Sequence, residues 1–364
     1  MDLVSLDYLK ETRRKLHSIA ELSGKEYKTS EFIAAELKRL GYKPQPIETG
    51  VYCDVGRGSP RIALRADIDA LPIEENTAVT KCDFAAKGAM HACGHDGHTA
   101  NLLNVARILG GKSETPVRLI FQFGEEGIGG SRAMIDGGVL DGVKEIYALH
   151  LCPEIDQGKI GYCYGGMFAG CVEFDIAVDG KACHCATPEN GADAIKASLD
   201  IAAAAFDCAK SHNLLLNLGK IGGGAARNIV SDRCMSEYTL RFFEMGKCEA
   251  VMLGIERAAL AADDKYGTAH TLINHCVYPP LINDALAVDK VRSIMGDACV
   301  PVAPRFTAED FSNYLSEVSG CMVWLGVKTE KHNSPLHSDT FSFDESALLL
   351  GTEMFLKLIG SANS

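Results

Sequence analysis

Apolar residues recur every three or four positions in KTSEFIAAELKRLGY, the spacing of a helix with one buried face. Thr29 or Ser30 stands where a cap belongs and Gly41 where the helix should stop. The chain start, MDLVSLDYLKETRRKLHSIAEL, has a similar amphipathic pattern and predicts an earlier helix. RIALRAD (61–67), VRLIFQF (117–123) and EIYALHL (145–151) are short apolar runs that read as buried strands. Between them, HTANLLNVARILGG reads as a helix stopped by Gly110 and Gly111, and SRAMIDGGVL as a shorter one. Strands alternating with helices predict an α/β domain with a mainly parallel sheet.

The pattern changes near residue 167. CVEFDIAVDG alternates as a strand, GADAIKASLDIAAAAFDCAK is a long helix, and LLLNLGKI and CMSEYTLRFF are two more strands. A second helix, KCEAVMLGIERAALAADDKYG, and a strand, HTLINHCVY, complete a β-α-β-β-α-β order, that of the split βαβ or ferredoxin-like unit. From about Pro280 the first pattern resumes, with CMVWLGV as a strand and FDESALLLGTEMFLKLI as the last helix. The expectation is a discontinuous domain over 1–166 and 280–364 with an inserted domain over 167–279.

Composition narrows the function. Hydrophobic residues make up 47% and charged residues 23% of 364 residues, as in folded proteins. A net charge of -12 disfavours nucleic acid and anionic membrane as partners. No signal-like or membrane-spanning apolar run stands out, so a cytoplasmic setting is expected. Fourteen cysteines without any CxxC pattern argue for reduced, packed thiols rather than a disulfide scaffold or a zinc ribbon. Cys163, Cys171, Cys208 and Cys321 all lie in apolar runs.

Cys93 is the exception. The segment MHACGHDGH (90–98) holds three of the chain's 11 histidines, a cysteine and an aspartate. In an extended loop, Cys93 and His95 would face the same side. A thiolate beside an imidazole suits zinc, manganese, nickel, cobalt or iron better than magnesium or calcium. His91 and His98 are weaker candidates, with His98 expected to open the next helix, and Asp96 could orient a histidine. Ligands in open α/β sheets bind at the carboxyl ends of strands. Three strands there deliver Asp67 and Asp69, Glu125–Glu126, and His150. Adjacent carboxylates near a core repel unless a cation neutralises them. One would then hold metal while the other takes a proton from water. His337, in NSPLHSDTFSFDE, is a further loop histidine.

Taken in order, RADIDALPIEE, MHACGHDGHT, FQFGEEGIGGSRAMIDGGVL, ALHLCP, GKACHCATPENGADAI, RNIVSD, EDFSNYL and NSPLHSDTF resemble the M20 metallopeptidases. The likeness is to the amidohydrolase subfamily of N-acyl-amino-acid deacylases, hippurate hydrolases, auxin-conjugate hydrolases and N-acetyldiaminopimelate deacetylase. It implies a catalytic α/β domain of zinc-peptidase type with an inserted satellite domain that often mediates homodimers. It also implies two divalent ions per chain, Mn2+ or Zn2+ with Ni2+ or Co2+ as alternatives, held by Cys93, His95, Glu126, His150 and His337. Glu125 would be the general base and then the acid, and Asp69 would orient a metal-ligating histidine. His184 matches a satellite histidine that binds the substrate carboxylate or polarises the scissile carbonyl, sometimes from the partner subunit, and Asn228 and Arg241 match satellite positions near the substrate carboxylate. The implied reaction is hydrolysis of an N-acyl amino acid, such as an N-acetyl one, to a carboxylate and a free amino acid.

Three departures stand out. Phe123–Gly124 replaces the usual Pro-Ala before Glu125, which predicts a more flexible loop. Glu189 stands where a histidine is usual, which would favour a basic or zwitterionic substrate. Cys183 and Cys185 flank His184, which raises a redox role beside plain packing. The alternatives are a dipeptidase or carboxypeptidase of the same family, a thiol hydrolase built on Cys93, and a non-catalytic, metal-stabilised binding protein.

Overall fold

The computed structural model describes residues 5–361. In chain order its first elements are α1 (Leu6–Ser18), α2 (Tyr27–Arg39), β1 (Gln45–Ile47), β2 (Gly50–Val55), β3 (Ile62–Asp67) and α3 (His95–Leu109). Next come β4 (Val117–Gln122), α4 (Gly130–Asp136), β5 (Glu145–Asp156) and β6 (Ile160–Tyr162). A middle stretch supplies β7 (Gly170–Asp179), α5 (Ala194–Ser211), β8 (Leu215–Gly223), β9 (Arg233–Phe242), α6 (Met245–Tyr266) and β10 (Ala269–Tyr278). The chain then adds α7 (Ala285–Met295), β11 (Cys299–Pro301), β12 (Ser319–Lys328) and α8 (Leu348–Ser361). Two compact units result: one of residues 1–167, 282–303 and 310–364, the other of 168–281 and 304–309.

The first unit is built on an eight-stranded sheet in the order β1-β2-β4-β3-β5-β12-β6-β11. Its four central strands are parallel, and β1, β2 and β6 run antiparallel to their inner neighbours. All six residues of β3 and all six of β4 are buried, as expected of strands covered on both faces. Helix α3 is buried from His95 to Ala106 and packs against α1 and α8. Its buried polar groups find partners there: Asn101 Nδ2 donates to the Leu348 carbonyl at 3.1 Å, and Thr352 Oγ1 to Asn101 Oδ1 at 2.8 Å.

Two sequence expectations shift here. Helix α2 opens at Tyr27, ahead of Thr29 and Ser30. Its first amides are satisfied from outside, by Glu21 Oε2, which accepts from Lys28 N at 2.7 Å and Thr29 N at 3.0 Å. Strand β5 runs beyond Leu151 to Asp156, so His150 lies inside a strand rather than at its end. Of the cysteines read as packing, Cys163, Cys171 and Cys321 are buried and Cys208 is only partly so.

The second unit carries an antiparallel sheet in the order β8-β9-β7-β10. Helices α5 and α6 pack on one face, and Phe174, Ile176, Tyr238, Leu240, Ile201 and Ile255 join the core between them. Residues alternate cleanly between core and surface along β9. Phe174 and Tyr238, paired across β7 and β9, stack with ring centres 5.0 Å apart.

Arg65 is the charged residue that this fold most depends on. It lies in the middle of β3 with 1% of its side chain exposed. Nη1 meets Asp67 Oδ2 at 2.7 Å, Nη2 meets Asp310 Oδ1 at 3.1 Å, and Nε donates to Gln122 Oε1 at 2.8 Å. Arg65→Met would strand two buried carboxylates. The expected loss is about 3–5 kcal/mol of stability, read from urea or guanidinium unfolding of the purified variant.

Candidate metal centre

Five of the side chains read as ligands converge in the first unit. The ligand atoms of Cys93, His95 and His150 lie within 4.8 Å of one another, as do those of Cys93, Glu126 and His337, and those of His95, Glu125 and Glu126. His150 Nε2 stands 3.4 Å and His337 Nε2 3.3 Å from Cys93 Sγ. His337 Nε2 is 3.1 Å and His95 Nε2 3.9 Å from Glu126 Oε1.

The MHACGHDGH segment is not extended. Gly94 takes a positive φ of 88° and becomes the cap of α3, so His95 is already the first helical residue. A Cβ on Gly94 would meet Leu151 Cδ1 at 2.8 Å, so both conformation and space require glycine there. The tight turn, not a shared strand face, brings Cys93 and His95 together. His337 is held by a second unusual backbone. Its φ is +61° and its N–H donates to the Ala92 carbonyl at 2.9 Å, a conformation that a non-glycine residue adopts at some cost.

Asp69 is fully buried. Its Oδ1 accepts from His95 Nδ1 at 3.1 Å and its Oδ2 from the Glu126 amide at 2.9 Å. The Asp69 carbonyl lies 3.0 Å from the same His95 Nδ1. His95 must therefore carry its proton on Nδ1, which turns the Nε2 lone pair towards Glu126. Two of the three weaker candidates, His98 and Asp96, are occupied. His98 Nε2 accepts from Leu151 N at 2.9 Å, and its Nδ1 meets Asp67 Oδ1 at 2.6 Å, so neither nitrogen is left for an ion. Asp96 does orient a histidine, but that histidine is His17, at 2.7 Å, with Arg13 Nε also at 2.7 Å. His91 is buried and has no hydrogen-bond partner among the described residues.

The electrostatics favour a cation. Burial alone would lower the pKa of His95, but Asp67, Asp69 and Glu126 outweigh it and raise it to about 10. Burial, reinforced by Glu126 and Glu125, drives the Cys93 thiol well above its usual range. Burial also keeps His150 neutral, with His98 contributing. His95 Nε2 and Glu126 Oε1 are buried and make no hydrogen bond. Unpaired buried donors and acceptors are costly. Three imidazole nitrogens, a thiolate and a carboxylate, those of His95, His150, His337, Cys93 and Glu126, fit a borderline divalent ion such as Zn2+ or Mn2+.

Sequence reasoning passed over the network beneath this centre. Asp67, read only as a strand end, links Arg65 to His98, and Gln122 and Asp310 complete the set, with Gln122 Nε2 2.8 Å from Asp310 Oδ1. The signal was present: Arg65 and Asp67 alternate along one buried strand, with Asp69 two residues beyond it, and a charge inside a buried strand needs a partner. The loop predicted to be loose is pinned instead. The Gly124 carbonyl accepts from the amides of Gly129 at 2.9 Å and Gly130 at 3.2 Å.

His184, Asn228 and Arg241 all belong to the second unit. His184 is exposed, on a two-residue strand paired with Ile229–Val230, and the Cys185 amide donates to the Asn228 carbonyl at 3.0 Å. Those two therefore sit side by side. Arg241 does not join them within one chain. It lies eight positions along β9 from Arg233, about 27 Å of strand, whose Arg233 end leads back through Asp232 to the His184 turn. Cys183 is partly and Cys185 fully exposed, and neither is disulfide-bonded. Glu189 is exposed in the helical turn Pro188–Asn190.

With this geometry in view, comparison with known proteins is decisive. The profile of Peptidase family M20/M25/M40 matches residues 63–361. The chain belongs to this family. An N-acetyl-L-cysteine deacetylase of Bacillus subtilis is 36% identical over 357 residues, covering 93% of this chain and 84% of that protein. A thermostable carboxypeptidase 1 of Saccharolobus solfataricus is 33% identical, covering 95% and 93%. Among solved structures, a dinuclear metal-binding M20 peptidase of Bacillus subtilis superimposes with a TM-score of 0.86 at 30% identity, covering 98% of both chains.

Asp69 is the clearest test of how this M20 centre is held. Asp69→Ala removes one of the two acceptors at His95 Nδ1, leaving the Asp69 carbonyl, and the carboxylate oxygen that holds the Glu126 amide. Divalent-ion affinity should fall about 10–100-fold, measured by competition with a chromogenic chelator, while the fold persists by circular dichroism.

Proposed function

We propose that this M20 protein is a metal-dependent amidohydrolase that cleaves N-acyl amino acids to a carboxylate and a free amino acid. The observation that carries this reading is the grouping of Glu125 with Glu126 and His95. It supports a general-base role for Glu125, a carboxylate outside the proposed ligand set, beside atoms whose surroundings favour a cation. The relative active on N-acetyl-L-cysteine supports the acyl class, and the solfataricus carboxypeptidase supports peptide-like substrates as the second reading.

Two divalent ions, Mn2+ or Zn2+, held by Cys93, His95, Glu126, His150 and His337, would supply Lewis acidity and lower the pKa of water. Glu125 takes a proton from the attacking water and later gives it to the leaving nitrogen, so the amide and one water become an acid and an amine. Asp69 keeps His95 in one tautomer and holds the Glu126 backbone. His184, with Asn228 beside it, would bind the substrate's polar end, and a homodimer through the second unit would account for Arg241 standing apart from them. No helix among the described residues is long and apolar enough to cross a membrane, and the net charge of -12 disfavours nucleic acid as a partner.

Glu125→Gln should retain metal and fold but lose about a thousandfold or more in kcat; unchanged turnover would remove Glu125 from this role. Dialysis against a chelator should abolish hydrolysis of N-acetyl amino acids, and added Mn2+ or Zn2+ should restore it. Activity that survives chelation and disappears on alkylation would indicate a thiol hydrolase at Cys93. A parallel panel of dipeptides separates deacylase from peptidase, and no turnover on either panel would leave a metal-stabilised binding protein.

A further inference from the structure

Glu26 is a buried carboxyl that the ligand set and the general base leave unexplained. It precedes α2 and has no exposed surface. Its Oε1 accepts two amides, Gly24 N at 2.8 Å and Gly124 N at 2.9 Å, and its Oε2 meets Thr49 Oγ1 at 2.6 Å. Gly124 is the residue before Glu125. It lies 98 positions further along the chain than Glu26 and has a positive φ of 70°.

The loop from Gly124 to Gly130 has no regular structure of its own before α4 begins. It is held at both ends of its acidic pair. Glu26 takes the amide before Glu125, and Asp69 takes the amide of Glu126. Beyond them, Ser23 Oγ accepts from Ile128 N at 3.3 Å, from the same turn that leads into Glu26. The Gly124 peptide is thus fixed on its N–H side by Glu26 and on its carbonyl side by Gly129 and Gly130.

We infer that Glu26 is a positioning residue for hydrolysis: its Oε1 holds the Gly124 amide, and so sets where the Glu125 carboxylate stands relative to the metal ligands. The inference rests on Glu125 being the general base. What matters is an acceptor oxygen at that point, not a charge. A neutral amide oxygen serves as well as a carboxylate, whereas a carboxylate one methylene shorter does not reach. Proton transfer is sensitive to such placement, with about a hundredfold loss for a shift near 1 Å.

The test compares Glu26→Gln, Glu26→Asp and Glu26→Ala as metal-loaded full-length proteins, assayed on an N-acetyl amino acid. Glu26→Gln should keep kcat within about threefold of the unaltered protein. Glu26→Asp and Glu26→Ala should lose about tenfold to a hundredfold in kcat, with KM and bound metal unchanged. The reverse order, Asp active and Gln impaired, would show that charge is the operative property and overturn the inference. So would full activity of a folded Glu26→Ala, or a loss of kcat that only tracks loss of metal. If Glu26→Ala does not fold, the Gln–Asp comparison decides alone. Glu125→Gln, run alongside, keeps the two readings apart, since its activity bears on the base itself and not on what positions it.

Discussion

The centre depends on one buried carboxylate with two clients. Asp69 spends one oxygen on the His95 ring and the other on the Glu126 backbone. These clients come from different places: the first residue of α3 and the loop after β4. Asp69 itself follows β3. One side chain therefore fixes three segments that meet at the carboxyl ends of two parallel strands, the place where α/β sheets characteristically build sites. Moving any of them by an ångström would change the spacing of the His95 and Glu126 atoms, 3.9 Å apart, that are proposed to share an ion.

The charge balance around Asp69 explains why such a carboxylate can be buried at all. Asp67 is compensated by Arg65 and by the proton it shares with His98. Asp310 answers the same guanidinium. Asp69 and Glu126 have no arginine of their own among these contacts, only dipolar donors and imidazoles. Asp67, Asp69 and Glu126 together raise the His95 imidazole pKa against the effect of its burial, while burial, reinforced by Glu126 and Glu125, holds the Cys93 thiol protonated. A divalent ion reverses that logic, since a coordinated thiol is deprotonated outright. The protein has arranged a full set of compensating partners beneath the site and withheld them at its surface.

Much of this was legible in the chain. The buried strands, the inserted β-α-β-β-α-β order and the convergence of strand ends follow from periodicities of two and 3.6 residues. What escaped was mostly long-range. Nothing near Thr29 announces that Glu21 caps α2, because the cap arrives from outside the helix. Spacing suggested that Cys93 and His95 share a face, and they do meet, but through a glycine in left-handed conformation rather than an extended run. Gly124 suggested looseness because glycine is free by itself. Its freedom is removed by Glu26, whose distance in sequence hides the contact.

Under the proposed function, the groups that carry hydrolysis would not choose the substrate. Glu125 and the ligand set would act on the amide itself, and that bond is the same in an N-acetyl amino acid and in a dipeptide. The difference lies one atom beyond the carbonyl carbon, where a dipeptide brings an ammonium and an acetyl group brings only hydrogens. An ammonium there demands a paired acceptor, and a site built to supply one rejects the analogue lacking it by about 10⁴–10⁵. An apolar wall is a far weaker filter, worth about 10–200-fold per methylene. A deacetylase and a carboxypeptidase both stand among the relatives of this chain, so under the proposed function the walls beside the acyl position, rather than the centre, would select the substrate.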